Sequence, residues 1–331
     1  MIATFPATWP TGAALGPRIV QAMRVILHIG AHRCATTTFQ HYLRLNAERL
    51  CQQRVGYWGP RRTRSGLFSG LQPGPRAATG RDPRQRAIGR VQMACGRSAS
   101  AGIAHLVVSD ENILGSVREN SRLGTLYLGA GERIARVRAA FDGYISDVVL
   151  NVRGLDRYWS SALGYGLTRG RPVPTPVTLD KISVATRTWR DVITDVACGA
   201  GGARVWVAPF ETYAGQPEAQ LALMTGATAP TMHARAWLNA TPRLPELRDL
   251  AGPDCALPDG EGRWRPFSES QAAALREAYA DDMMWLASGA DGLARLLNDT
   301  SDSRAGQHPP ETDRTRGRHD DSQERRMARA R

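Results

Sequence analysis

The chain has 331 residues, of which 42% are hydrophobic, and 43 basic residues against 31 acidic ones give it a net charge of +12. This length suits one large α/β domain or two small ones. No apolar run reaches the roughly 18 residues of a membrane span, so none is expected. The 5 cysteines form no CxxC pair and the 7 histidines show no HExxH spacing. These patterns favour a reducing, cytoplasmic compartment and predict no metal site.

The two ends of the chain differ in composition from its middle. Residues 1–22 are weakly apolar and interrupted by prolines, so they lack the continuous apolar run of a signal peptide. We expect a disordered or non-native extension there, with Met23 as an alternative start. The residues 299–331 are polar and charged, which predicts a disordered tail. The folded domain is therefore expected to span 23–298.

The positive charge comes almost entirely from arginine, because Lys181 is the only lysine. A general compositional bias explains such a pattern, and so does attraction to polyanions, including a small ligand with several phosphates. Nucleic acid would satisfy the same charge. However, no helix-turn-helix, zinc-finger or RNA-binding signature accompanies it, so no specific nucleic-acid partner is expected.

Buried strands and amphipathic helices alternate along the chain. Short apolar runs predict strands at 24–29, 103–109, 147–152 and 204–208. Apolar residues at helical spacing predict helices at 36–52, at 131–142, from about Asp156, across 182–196 and at 268–287. This alternation predicts a single α/β domain whose central parallel sheet is flanked by helices. Residues 59–102 are rich in Arg, Gly, Pro and Ser, and predict a long surface excursion.

One candidate binding site follows the first strand, where Gly30 to Thr38 leads into an amphipathic helix. A helix amino end presents free N–H groups and partial positive charge, which together bind phosphate. Arg33 would add a fixed charge, and the three threonines would add hydroxyl donors. The stretch fails the GxxxxGK[ST] pattern of a P-loop, because Ala35 replaces its second glycine and no lysine precedes Thr36. The alternative is that these residues only cap the start of the helix and bind no ligand.

A second candidate site follows the strand 147–152. Arg153 stands directly after this strand, and Ser161 lies two turns into the next helix. Side chains in these positions can converge on one anion. The alternative is that Arg153 pairs with an acidic neighbour while Ser161 packs or caps.

These two stretches resemble the nucleotide-binding segments of bacterial sulfotransferases that use 3'-phosphoadenosine 5'-phosphosulfate (PAPS). LHIGAHRCATTTFQHYL resembles their 5'-phosphosulfate loop, and VVLNVRGLDRYWSSALGYG their 3'-phosphate site. The resemblance implies a P-loop-like sulfotransferase fold and in-line sulfuryl transfer to a hydroxyl or amine. It also implies donor-binding residues, which are Arg33, Cys34, Ala35, Thr36, Thr37, Thr38, Arg153 and Ser161.

Two positions of the 5'-phosphosulfate loop depart from that family pattern, and in the second segment Leu155 stands where the family usually has proline. Arg33 stands where the family usually has a lysine that contacts the phosphosulfate bridge, and it keeps the charge on a planar fork. Ala35 stands where the family has glycine, so the loop must tolerate a Cβ. Weaker resemblances, such as HLVVSDENILG, VWVAPFETYAGQPEAQL and LNATPRL, follow in the same chain order.

The reaction needs a base that takes the acceptor proton. Ligands of open α/β sheets bind outside the carboxyl ends of the strands. Glu111 follows a predicted strand there and is the favoured base, with His32, inside the donor loop, as the second choice. Asp110, Glu211 and His105 are weaker candidates.

The acceptor itself is not identified by the sequence. Carbohydrates, lipids and small metabolites are all open, and the excursion 59–102 is a candidate acceptor loop. Tyr57, Trp58, Trp159 and Tyr165 are candidates to line the pocket, although ordinary core positions explain each of them as well. A nucleotide-dependent kinase with Asp110 as its magnesium ligand is the nearest alternative. A non-catalytic polyanion-binding protein that uses the Arg-rich segments 61–97 and 313–331 is another.

Overall fold

The computed structural model describes residues 23–72, 82–252 and 256–298. The described residues as far as Leu297 belong to one compact unit. The predictions made for 1–22 and 299–331 lie outside the described residues, as does part of the excursion, 73–81. Among the described residues, no helix is both long and apolar enough to cross a bilayer.

A parallel sheet of six strands forms the centre of this unit. The strands are β1 (Arg24–His28), β2 (Val55–Trp58), β3 (His105–Ser109), β4 (Ile145–Val152), β5 (Arg204–Pro209) and β6 (Arg295–Leu296). Their order is β2-β3-β1-β4-β5-β6, and every pair is parallel. Because β1 lies between β3 and β4, the loops that follow these three strands meet at one edge of the sheet. Such an edge is where open α/β sheets bind their ligands.

Helices cover both faces of the sheet. The first half of the chain contributes α1 (Thr36–Leu45), α2 (Ala47–Gln52), α3 (Pro83–Ser100), α4 (Val117–Leu123), α5 (Ala130–Ala140) and α6 (Leu155–Leu167). The second half contributes α7 (Pro176–Ser183), α8 (Trp189–Ala200), α9 (Phe210–Tyr213), α10 (Pro217–Thr225), α11 (Leu244–Ala251) and α12 (Glu269–Ala287). The predicted class, a single α/β domain with a central parallel sheet flanked by helices, is confirmed.

The alternation of side chains along each strand divides the core into two layers. In β1, Val25 and Leu27 face the larger cluster, which includes α3, α5, α6 and α8. Ile26 faces the smaller cluster, which includes α1, α2 and α10. Strands buried on both faces have the continuous apolar sequences that made them predictable.

The excursion predicted at 59–102 contains more regular structure than expected. It follows a strand, β2, that was not predicted, and it includes α3, a helix of 18 residues. Asp82 caps α3 and Pro83 begins it, as both residue types favour. The helix was overlooked because its buried face consists mostly of small residues such as Ala87 and Ala94, so its apolar periodicity is weak.

Two predicted helices are each divided in two. The helix expected at 36–52 breaks at Asn46, whose side chain donates to the carbonyl oxygens of Tyr42 and Met232. The helix expected across 182–196 is interrupted before Thr188, which begins α8 with a reciprocal capping box. In both places a polar side chain makes hydrogen bonds that compete with a continuous helix.

Candidate active site at the carboxyl edge of the sheet

The loop after β1 is fastened to β4 through its backbone. The N–H groups of Ile29 and Ala31 donate to the carbonyl oxygens of Val149 and Asn151, at 2.9 and 3.0 Å. Between them, Gly30 passes so close to β4 that a Cβ there would lie 2.9 Å from Oδ1 of Asn151. A side chain at this position would push the loop away from the sheet.

The loop enters α1 through two residues in the left-handed backbone region. Arg33 has a φ of 66° and Ala35 a φ of 61°, and this region costs a residue with a Cβ roughly 1–2 kcal/mol. Ala35 therefore occupies a conformation that glycine would adopt more easily. It caps α1 without a side-chain hydrogen bond. Since the first N–H groups of a helix have no partner within it, the amino end of α1 is suited to an anion.

The three threonines that open α1 have different partners. Thr36 is buried, and its hydroxyl donates to a carbonyl oxygen of the loop at 3.1 Å. The hydroxyls of Thr37 and Thr38 accept hydrogen bonds from Nδ2 of Asn239 and the N–H of Leu238, both at 3.1 Å. These hydroxyls therefore fasten a distant stretch of the chain over the loop.

Arg33 extends from this loop to helix α6. Its Nε donates to Oγ of Ser161 at 3.0 Å. Its terminal nitrogen donates to Oγ1 of Thr241 at 2.9 Å and to the carbonyl oxygen of Asn239 at 2.8 Å. The guanidinium carbon also lies 5.0 Å from the ring centre of Tyr165. The two sites that the sequence suggests separately are thus in direct contact.

Arg153 extends into the same region from the end of β4. One terminal nitrogen donates to the carbonyl oxygen of Arg33 at 3.2 Å, and the guanidinium carbon lies 4.0 Å from the ring centre of Phe210. Nε1 of Trp189 donates to the carbonyl oxygen of Arg153 at 2.7 Å and fixes its backbone. Nε of Arg153 is buried without a hydrogen-bond partner, so this guanidinium has a donor left to satisfy.

The charges of Arg33 and Arg153 are at most partly compensated, since Glu211 acts on Arg153 only from a distance. None of the ion pairs among the described residues includes either one. Burial, and then the charge of Arg153, lower the pKa of Arg33 to about 10. Burial raises the pKa of the Cys34 thiol, so Cys34 is not a counter-ion. Both side chains are partly buried, and an anionic ligand would pair their charges.

A chain of buried polar side chains lies beneath the loop. His28 Nδ1 is 2.7 Å from Oγ of Ser109, and its Nε2 is 2.7 Å from Oδ1 of Asn151. Asn151 and Gln220 exchange hydrogen bonds through their side-chain amides at 3.1 Å. With Oδ1 of Asn151 as an acceptor, His28 carries its proton on Nε2 and accepts from Ser109 on Nδ1. Burial lowers the pKa of His28 to about 4, so it is neutral at physiological pH.

Glu111, the favoured base, is held in an ion pair. One carboxylate oxygen lies 2.9 Å from Arg64, and the other accepts from Nε2 of Gln40 at 2.8 Å. Burial alone would raise the pKa of Glu111, but the charge and the hydrogen bond of Arg64 outweigh it and bring the net pKa below its ordinary value. Glu111 is therefore ionised at neutral pH and is a weak proton acceptor.

Asp110 is buried and fully engaged by protein donors. Its Oδ1 accepts from Nε and a terminal nitrogen of Arg64, at 3.1 and 2.7 Å, and from the N–H of Asn112 at 3.0 Å. Its Oδ2 accepts from the hydroxyl of Thr63. These contacts leave little capacity for a magnesium ion, which the kinase alternative requires of this residue.

Both ring nitrogens of His32 lie within hydrogen-bond distance of a partner. Nδ1 is 3.0 Å from the hydroxyl of Tyr127, and Nε2 is 3.1 Å from Oδ1 of Asn112. The Tyr127 hydroxyl also accepts from the N–H of His32 and from the hydroxyl of Tyr158. It therefore donates its own proton to Nδ1. Burial lowers the pKa of His32, so the ring is neutral, but its lone pair is occupied in this arrangement.

Glu211 and His105 are the two remaining candidates for the base. Glu211 accepts from the N–H of Gly154 and the hydroxyl of Tyr279, both at 3.0 Å, and so orders the turn after β4. His105 begins β3 and lies at the opposite end of that strand from the site.

The four aromatic candidates for an acceptor pocket form two pairs, one buried in the core and one near the site. Trp58 and Trp159 are core residues, with 1% and 2% of their surface exposed. Tyr165 contacts Arg33, as described above. Burial, and then the charge of Glu111, raise the pKa of the Tyr57 hydroxyl, so the two side chains interact electrostatically. Tyr57 and Tyr165 therefore stay candidates for an acceptor pocket.

Several residues of the site were not selected from the sequence. Asn239 and Thr241 complete the shell around Arg33, Tyr127 orients His32, and Arg64 neutralises Glu111. The resemblance of LNATPRL to the family's C-terminal segment was the one indication that the first two belong here.

Comparison with known proteins finds no matching family model, curated relative or solved structure. The function of the chain has to be inferred from the residues of the site.

Proposed function

We propose that the chain is a sulfotransferase that uses PAPS as its donor. The observation that carries the proposal is the meeting of Arg33, Ser161 and Arg153 at the amino end of α1. Two partly buried guanidinium groups without ion-pair partners among the described residues favour a ligand with more than one negative charge. A nucleotide with a 5'-phosphosulfate and a 3'-phosphate has this character.

In the proposed complex the donor would span the two loops. The N–H groups at the start of α1 would hold the 5'-phosphosulfate, and Arg153 and Ser161 would hold the 3'-phosphate. Arg33 donates to Ser161, so it lies within reach of both groups and would neutralise them together. The hydrogen bonds that Arg33 makes to Thr241 and Asn239 would then be exchanged for bonds to the ligand.

The chemistry would be an in-line displacement at sulfur. The acceptor oxygen or nitrogen forms a bond to sulfur while the bond from sulfur to the bridging phosphate oxygen breaks, and the acceptor loses a proton. The products are the sulfated acceptor and adenosine 3',5'-bisphosphate. The protein contributes alignment and neutralisation of the charge that develops on the leaving phosphate.

Glu111 is the base in this proposal, with His32 as its competitor. Glu111 is ionised and stands at the end of β3, but Arg64 weakens it as a base. Withdrawal of Arg64 toward an arriving acceptor would raise the pKa of Glu111 and strengthen it. His32 would first have to release the hydrogen bond from Tyr127.

Donor choice tests the proposal. The purified chain should release adenosine 3',5'-bisphosphate from PAPS without added metal when it is supplied with a mixed panel of hydroxyl and amine acceptors. It should not release ADP from ATP and magnesium. Consumption of ATP with no consumption of PAPS would favour the kinase alternative and overturn the proposal.

A further inference from the structure

A cavity lies apart from the proposed donor site, between α3 and a turn at Thr63–Leu67. Its volume is about 630 Å³, within the range of small-molecule binding sites. The turn has a π-type hydrogen-bonding pattern broken at Ser65 and Gly66, which both line the cavity. Arg64, the residue before them, forms the ion pair with Glu111. The cavity is thus separated from the proposed base by a single turn of chain.

One face of α3 lines this cavity with arginine. Arg86, Arg90, Met93 and Arg97 are spaced four, three and four positions apart, which places them along one side of the helix. The opposite side, with residues such as Val91, is buried in the core. Three of the four arginines of α3 therefore line one side of the helix, at the cavity.

The charges on this face have no acidic partners. None of the ion pairs in the described part of the chain includes Arg86, Arg90 or Arg97, and no acidic residue is among the described residues that line the cavity. Arg90 donates one hydrogen bond to the carbonyl oxygen of Ser69, but its Nε is buried without a partner. An unmade hydrogen bond on a partly buried cation favours an anionic ligand.

The walls of the cavity are fixed by packing. Gly70 has a φ of 94°, and a Cβ there would lie 2.7 Å from the carbonyl oxygen of Pro83. The end of the turn is therefore in direct contact with the start of α3. Phe68 packs edge-on against Phe141, with ring centres 6.1 Å apart. These two contacts fix the turn against α3 and against the core.

We propose that this cavity binds a sulfate or carboxylate group on a saccharide acceptor. The role of the saccharide as acceptor rests on the proposed function, whereas the binding of an anion rests on the cavity alone. A saccharide fits the lining because the hydroxyl of Ser65, which donates to the carbonyl oxygen of Arg61, can still accept from a sugar hydroxyl, and Ser69 adds a second hydroxyl. No aromatic residue is among the described residues that line it, so nucleic-acid bases would find no stacking surface.

Calorimetric titration of the full chain with a heparin tetrasaccharide tests this proposal. Replacement of Arg86 and Arg90 together by Gln should weaken binding by at least about tenfold, since each removes a charge-assisted hydrogen bond. Arg86→Gln alone serves as a second variant, because Arg86 is exposed and its replacement leaves the fold intact. Arg49→Gln is the matched control: it removes the same charge from an exposed helix position that lines neither site.

The outcomes separate this proposal from the donor proposal. Weaker tetrasaccharide binding in the cavity variants, with unchanged binding in Arg49→Gln and unchanged thermal unfolding, supports the cavity. Equal losses in all variants would mean general charge attraction and would overturn it. Tighter binding of a single-stranded oligonucleotide of equal charge would also overturn it. Titration with adenosine 3',5'-bisphosphate reports on the donor site separately, and its failure would leave the cavity result standing.

Discussion

At the scale of single residues, the site is dominated by charges that the protein leaves without partners. Asp110 and Glu111 share Arg64, and Asp147 contacts both Arg24 and Arg204, so each of these three carboxylates has an arginine partner. The uncompensated state of Arg33 and Arg153 stands out against this background. An uncompensated buried charge destabilises a fold, and a bound polyanion would remove that cost.

The proposed role of Glu111 as the base can be tested by replacing this single residue. Glu111→Gln should lower turnover by on the order of 10²–10⁴-fold, because the amide keeps the shape of the carboxylate but accepts no proton. The affinity for adenosine 3',5'-bisphosphate should barely change. Steady-state kinetics with PAPS, together with calorimetry, measures both quantities.

His32→Asn is the matched control for that experiment. If Glu111→Gln keeps nearly full turnover and His32→Asn loses it, His32 is the base. If both variants lose nucleotide affinity, the two residues shape the donor site and neither acts as a base.

At the scale of elements, the backbone at the start of α1 is strained, as the alanine at position 35 suggests from the sequence alone. Ala35 stands in a left-handed conformation at the position where the resembling family has glycine. Ala35→Gly should therefore stabilise the chain by about 0.5–1 kcal/mol, the strain relieved being partly offset by the greater freedom of glycine in the unfolded state. Chemical denaturation measures the change in the free energy of unfolding.

Ala47→Gly supplies the comparison for Ala35→Gly. Ala47 is exposed in the first turn of α2 and is not among the residues with positive φ. Glycine there should destabilise by about 0.5–1 kcal/mol. Equal destabilisation by both substitutions would show that the loop before α1 is not strained.

The elements also show what a single sequence can and cannot predict. The four long strands are buried on both faces, so continuous apolar runs mark them. β2 contains Gly56 and has four residues, and α3 buries mostly small side chains, so neither produces a strong pattern. The local motifs around Arg33 and Arg153 were predictable because each lies within one strand–loop–helix unit. Thr241 and Tyr127 approach Arg33 and His32 from distant parts of the chain, and no local pattern specifies such contacts.

At the scale of the whole molecule, the buried polar chain around His28 couples stability to pH. The pKa of His28 is about 4 in the folded state and 6.5 ordinarily. The unfolded chain therefore binds this proton first as pH falls, and stability declines between pH 6.5 and about 4. The loss attributable to His28 is on the order of 3 kcal/mol. Below that window both states are protonated, and this contribution is constant.

Unfolding of the wild type and of His28→Asn across that pH range tests the coupling. The variant should be less stable than the wild type at pH 7, because the network with Ser109 and Asn151 is disturbed. Its free energy of unfolding should nevertheless fall less steeply between pH 6.5 and 4. Parallel curves for the two proteins would show that His28 does not carry the pH dependence.

The central claim is that a 3',5'-bisphosphate nucleotide binds where the loop before α1 meets Arg153 and Ser161. Thermal unfolding with adenosine 3',5'-bisphosphate tests it most directly, since a ligand present at about a hundredfold excess over its Kd stabilises the native state by about 2.7 kcal/mol. We expect such stabilisation of the wild type, a much smaller effect of AMP, which lacks the 3'-phosphate, and loss of the difference in Arg153→Gln. Equal stabilisation by the two nucleotides, or no stabilisation by either, would contradict the account.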